Sequence, residues 1–148
     1  MAAEQELDGF IAKFDEAMRV RIRSCRQWMR ARLPDAVELV YDNYNFLVIG
    51  FGPTPRPSEA IFSLAAHKRG ILLCFLQRAP ELNDPANLLR GTGKVVRNVA
   101  LTDADELNRD EVGLLIDQAL TLAKIPMSAA EGPTLVIRSI SAKQRPRR

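Results

Sequence analysis

Apolar residues recur at three- and four-residue spacing from Leu7 through Phe10, Ile11, Phe14, Met18, Ile22 and Cys25 to Trp28 and Met29. No Gly or Pro interrupts the run after Gly9, so the period predicts one helix over residues 4–32, stopped by Pro34. Beyond Pro34 the period becomes two. Val37, Leu39 and Tyr41 alternate, Asp42-Asn43 supplies a turn, and 44–51 is apolar on both faces, which predicts a hairpin with a more central second strand. The proline-rich segment 52–57 reads as a stiff exposed loop, because its prolines cannot donate to a ladder. A second hairpin follows, with strands over 59–66 and 71–76 around the turn His67-Lys68-Arg69-Gly70.

Asp84-Pro85 looks like a helix start and Gly91 like its end, so 85–90 is expected to form one or two helical turns before a strand over 94–101. Asn108 and Glu111 resemble a capping box. Val112, Leu115, Ile116, Ala119, Leu122 and Ala123 then form the apolar stripe of a helix over 109–124. A small-residue linker over 126–133 precedes a last strand, Thr134–Ile140, and a tail, 141–148, too polar to pack and expected to be mobile. The class is therefore α+β: an antiparallel sheet of about six strands, with the long N-terminal and the C-terminal helix on one face. Residues 1–140 make the single domain and 141–148 a basic, flexible tail.

Composition changes little in this picture and charge changes more. With 148 residues, 47% hydrophobic and 26% charged, the chain has the make-up of an ordinary globular domain. No apolar run approaches the length of a membrane span, and the acidic N-terminus carries no secretory signal, so a cytoplasmic protein is expected. The net charge is +3, yet Lys143, Arg145, Arg147 and Arg148 supply four positive charges in the tail, and removing them leaves −1. The tail is thus the expected site of salt-sensitive, sequence-independent contact with anionic polymers. Cys25 and Cys74 sit in apolar patterns and read as core thiols. His67, the only histidine, is expected in water at a turn tip, and Tyr41 and Tyr44 in the strand core. No residue set has the spacing of a catalytic triad. The Gly91-Thr92-Gly93-Lys94 stretch could cradle an anion on its backbone amides, with Arg90, Lys94 and Arg97 as supporting charges. It is no Walker loop, because it enters a strand and Val95 stands where a hydroxyl is needed.

Three runs, ELVYDNYNFLVIGFG at 38–52, DPANLLRGTGKVVRNVAL at 84–101 and IRSISAKQRPRR at 137–148, resemble the YdhG-like family of small bacterial domains of unknown function. The resemblance covers residues 20–124, and the closing run is similar to a subgroup with an extra strand and a basic tail. It implies a frataxin-like fold, an antiparallel sheet with helices on one face. The family's usual Gly-Ala after the fourth strand stands here as Arg78-Ala79-Pro80. Because iron-chaperone activity has been proposed for members of the wider family, the resemblance also implies a candidate acidic ridge, Asp103, Asp105, Glu106, Asp110 and Glu111. The same acids sit where helix caps and first turns favour negative charge.

The expected function is a non-enzymatic binding or adaptor module without a cofactor; the alternative is a frataxin-like iron-binding chaperone. An assembly expectation follows from length. A 29-residue helix spans about 43 Å against about 23 Å for a seven-residue strand. The overhanging stripe Leu7, Phe10, Ile11, Phe14 and Met18 is therefore expected to pair two copies into a homodimer, the alternative being a break near Arg19 that folds the first half of the helix back on its own core.

Overall fold

The computed structural model describes residues 2–148. Helix α1, Ala3–Ile11, and helix α2, Glu16–Arg32, replace the single expected helix. The break has a local cause. Asp15 adopts an extended backbone and its carboxylate accepts a hydrogen bond from the Met18 amide at 2.8 Å, so it caps a new helix inside an unbroken apolar period. Leu7, Phe10, Ile11, Phe14 and Met18 are consequently all buried in the chain's own core. The overhang that motivated a homodimer through this stripe does not exist.

Strands β1 (Val37–Asp42), β2 (Leu47–Gly52), β3 (Phe62–His67), β4 (Gly70–Phe75), β5 (Arg97–Leu101) and β6 (Thr134–Ile140) form one sheet in the order β5-β4-β3-β2-β1-β6. Neighbours are antiparallel along the first five, with tight turns joining β1 to β2 and β3 to β4, but β6 runs parallel to β1. The sheet is thus mixed, where an antiparallel one was expected. The connection through helix α3, Asp110–Leu122, and the linker is long enough for a crossover, and the edge of β1 not used by β2 receives the last strand. A bulge between Val40 and Tyr41 shifts the β1–β6 register by one residue at Arg138.

Val40, Ile49, Leu64, Leu73 and Val99 align across five strands and join side chains of all three helices in one buried cluster. Packing of the helices on one sheet face follows from this row. Phe62 and Phe75, paired in the adjacent row, meet edge to face with centroids 5.6 Å apart. Among the described residues no helix is long and apolar enough to cross a membrane.

Two short elements differ from expectation. Residues 85–90 are not helical: the Asp84 carboxylate accepts from the Leu88 and Leu89 amides, while Asn87 takes a left-handed φ of 53°. The carboxylate expected to cap a helix closes a turn instead. Asn108 does not cap α3 either, since its Oδ1 accepts from Trp28 Nε1 at 2.8 Å and Arg109 occupies the cap position. After β4, Arg78 stands in the left-handed region at φ 51°, a conformation that glycine adopts most readily. Its guanidinium bonds Glu81 at 2.6 and 2.7 Å and helps hold that backbone.

Candidate functional site

Alternation along β1 places Glu38, Val40 and Asp42 on the helix-facing side, so two carboxylates enter the core roughly 13 Å apart. Each is met by cations. Arg26 of α2 holds Glu38 through Nε and a terminal nitrogen at 2.8 and 2.9 Å and reaches Glu4 of α1 at 2.6 and 3.1 Å. Burial alone would lower the Arg26 pKa, but the hydrogen bonds from Glu38 and Glu4 outweigh it and raise it. At the other end Asp42 accepts from Lys13 Nζ at 2.6 Å and from Arg147 at 3.0 Å. Burial pushes the Asp42 carboxyl up, whereas the hydrogen bonds of Lys13, Gln144 and Arg147 pull it further down, for a net shift below its ordinary 3.8.

The second cluster fixes the C-terminal segment. Ser141 and Arg145 donate backbone hydrogen bonds to the Asp42 and Tyr44 carbonyls at 2.9 and 2.8 Å, and Gln144 bridges Lys13 and the Asp42 carbonyl. Arg147, only 5% exposed, lies over the Phe14 ring and donates to the Asn43 carbonyl at 2.6 Å. Within 141–148, expected to be mobile, Arg147 is buried and Ser141, Gln144, Arg145 and Arg147 bond to residues 42–44, while Ala142, Lys143, Arg145, Pro146 and Arg148 stay exposed. A stability consequence follows. The lowered Asp42 pKa contributes stability in full above about pH 4, which is lost as the pH falls through the folded-state value. Urea unfolding from about pH 6 to pH 3 is expected to show a shallower acid loss for Asp42→Asn than for the unaltered chain. Equal slopes would mean the carboxylate is not the group lost.

Of the tail cations, Arg147 is consumed by this lock, while Lys143, Arg145 and Arg148 remain exposed. Arg145 faces a pocket of about 330 Å³ lined by Asn45, His67, Lys68, Arg69, Arg145 and Pro146. None of these six is acidic. Lys68, Arg69 and Arg145 form no ion pair among the described residues, unlike Arg26, Arg30, Arg32, Arg56, Arg78, Arg109 and Arg147. His67 is partly buried rather than free in water: it packs edge-on against Phe46 at 5.6 Å, and its Nδ1 accepts from the Arg69 amide. Burial first and the Arg69 charge second lower its pKa. Tyr44, expected in the strand core, lies outside the strands, is 49% exposed, and has the Arg145 guanidinium 5.5 Å from its ring centre. No family model, curated protein or solved structure matches the chain.

The other clefts are weaker anion sites. One of about 630 Å³ carries Arg23, Arg26 and Arg30, yet Glu4 and Glu38 bind Arg26 and Asp8 shares the lining. Another, of about 340 Å³ between the ends of α2 and α3, has only Arg32 and Asp35 as charged lining residues. In the Gly91–Lys94 loop, Gly91 has a φ of 101° and a side chain at Gly93 would run into the Val96 carbonyl, so glycine is explained by backbone geometry. Arg97 donates to the Gly93 carbonyl at 3.1 Å, Arg90 pairs its backbone with Asn98, and Lys94 points to solvent without an ion pair.

Three of the five candidate acidic residues are bonded locally, and Asp105 and Asp110 carry no side-chain partner among the described residues. Asp103 caps the turn Ala104–Asn108 through the Asp105 amide, Glu106 accepts from the amide and hydroxyl of Thr102, Glu111 pairs with Arg109 at 3.1 Å, and Asp110 opens α3. Among the described residues no three His, Cys, Asp or Glu side chains converge on a point that could hold a metal. Cys25 is fully buried, which pushes its thiol up to about 11 and keeps it protonated; Cys74 is half-buried.

Proposed function

We propose that this protein is a non-enzymatic binding module that contacts anionic polymers through the cationic surface of its docked C-terminal segment. One observation carries the reading: Lys68, Arg69 and Arg145, from a turn and a terminus distant in sequence, meet at a pocket with no carboxylate in its lining. Unpaired cations around a concave, acid-free surface attract phosphates by displacing their counterions. The two carboxylates buried in the sheet, Glu38 and Asp42, are engaged by Arg26 and by Lys13 and Arg147 inside the fold. A relationship to the YdhG-like family, with its frataxin-like fold, is compatible with helices on one sheet face, and the parallel β6 is the departure. A cytoplasmic setting suits the same reading. The α1 stripe is taken up by the core, so no dimer through it is included. A frataxin-like iron chaperone has less support, since Asp103, Glu106 and Glu111 of its carboxylates are bonded to neighbouring groups and no three acidic side chains among the described residues form a metal-holding cluster.

Anisotropy of a labelled oligonucleotide titrated at several salt concentrations tests the proposal. Replacing Lys68, Arg69 and Arg145 together with Gln is expected to weaken binding alike for different sequences and to reduce the salt slope by about 2 to 3. Binding with an unchanged slope after the triple replacement would place the contact elsewhere.

A further inference from the structure

The pocket lies beside the one aromatic side chain among the large exposed hydrophobic residues of the described chain, Tyr44. Its carbonyl receives the Arg145 amide at 2.8 Å, and its ring and the Arg145 guanidinium are neighbours, so the C-terminal segment brings together a π-surface and a planar cation. Asn45 follows directly in the chain and lines the pocket, supplying an amide that can both donate and accept. Cations alone serve any polyanion. A ring and a guanidinium plane beside them add something only for a ligand that carries exposed aromatic faces next to its phosphates.

We propose that the occupant is single-stranded nucleic acid, with a phosphate held in the pocket by Lys68, Arg69 and Arg145 and the adjoining base stacked on Tyr44 and the Arg145 plane. This rests on the anionic-polymer reading above and narrows it. Duplex DNA presents the same charge but hides its base faces within the stack, so it can use the cations and not the platform. Asn45 is placed to meet the edge of the stacked base, and a single amide there provides a modest preference at most.

The test compares three probes of equal length, about 12 nucleotides: oligothymidine, an abasic deoxyribose-phosphate strand, and a duplex. For the unaltered chain, oligothymidine is expected to bind more tightly than the abasic strand. Tyr44→Ala is expected to cut oligothymidine affinity by about 5- to 100-fold while changing abasic-strand and duplex affinity less than about twofold. Circular dichroism and thermal melting confirm that the variant is folded. If the abasic strand binds as well as oligothymidine, or if Tyr44→Ala weakens all three probes equally, the stacking proposal is overturned while the charge-based reading stands. Failure of every probe to bind overturns both.

Discussion

Replacing Arg26 with Met is expected to destabilise the protein by about 3 to 5 kcal/mol, read as a lower urea midpoint at an unchanged m-value. The substitution keeps most of the side-chain volume, so lost packing contributes little. What it removes is the two-point grip on Glu38, whose side chain is only 6% exposed, leaving that carboxylate with Arg30 at 3.6 Å, itself half in water. An ionised group in that position must draw in water or distort the strand, and both are costly. Glu4 also loses a partner, but it is half exposed and regains water. The cause can be isolated by a second change. Arg26→Met combined with Glu38→Leu is expected to recover most of the loss, because an apolar pair of similar volume commonly equals or exceeds a buried ion pair. A double variant as unstable as the single one would show that the carboxylate's burial is not the source.

Glu38 and Asp42 also mark where sequence reasoning about this fold succeeded and where it met a limit. The hairpins, α3 and Thr134–Ile140 were legible because their periods are bounded by turn residues and prolines. The working face of β1 was not. Val37, Leu39 and Tyr41 are the apolar alternating set, yet the side facing the helices carries Glu38, Val40 and Asp42. β1 is a central strand with Val37 and Leu39 buried as well, so alternation could not tell its two faces apart. The carboxylates would have signalled a paired core position only if Arg26, Lys13 and Arg147 had been known to lie opposite, which is long-range information. Parallel addition of β6 is hidden for the same reason: strand pairing across a crossover leaves no local period.

Of the candidate site only Arg145 was read from the sequence as a binding charge; Lys68 and Arg69 read as turn residues and Tyr44 as strand core. Their meeting with Arg145 depends on the docking of the C-terminal segment, which its polarity argued against. The docking is held by specific bonds to Asp42, Asn43 and Tyr44, a mechanism that composition does not register. Conversely, the glycines of 91–94 carry a strong local pattern and a backbone explanation.

Phe14→Ala is expected to cost about 3 to 5 kcal/mol, because the ring is fully buried at the junction of α1 and α2 and its removal leaves a cavity the two helix ends cannot close. The residue does more than fill space. Arg147 rests over its ring while pairing with Asp42, and Arg19 donates to the Phe14 carbonyl at 2.7 Å, so one position joins the helix break, the core and the C-terminal lock. Loss of the ring takes away the surface that shields the Arg147–Asp42 pair from water, which weakens the pair by raising the local dielectric. The Ser141 and Arg145 amides, bonded to the Asp42 and Tyr44 carbonyls, are therefore expected to exchange hydrogen faster in Phe14→Ala than the amides of β3 and β4 under the same conditions. Uniform acceleration across all of these amides would indicate only global destabilisation and would separate the lock from the core. Phe14→Asp carries the point further. Since the ring packs inside its own chain, that variant is expected to lose its cooperative melting transition, rather than to convert a folded dimer into folded monomers on sedimentation.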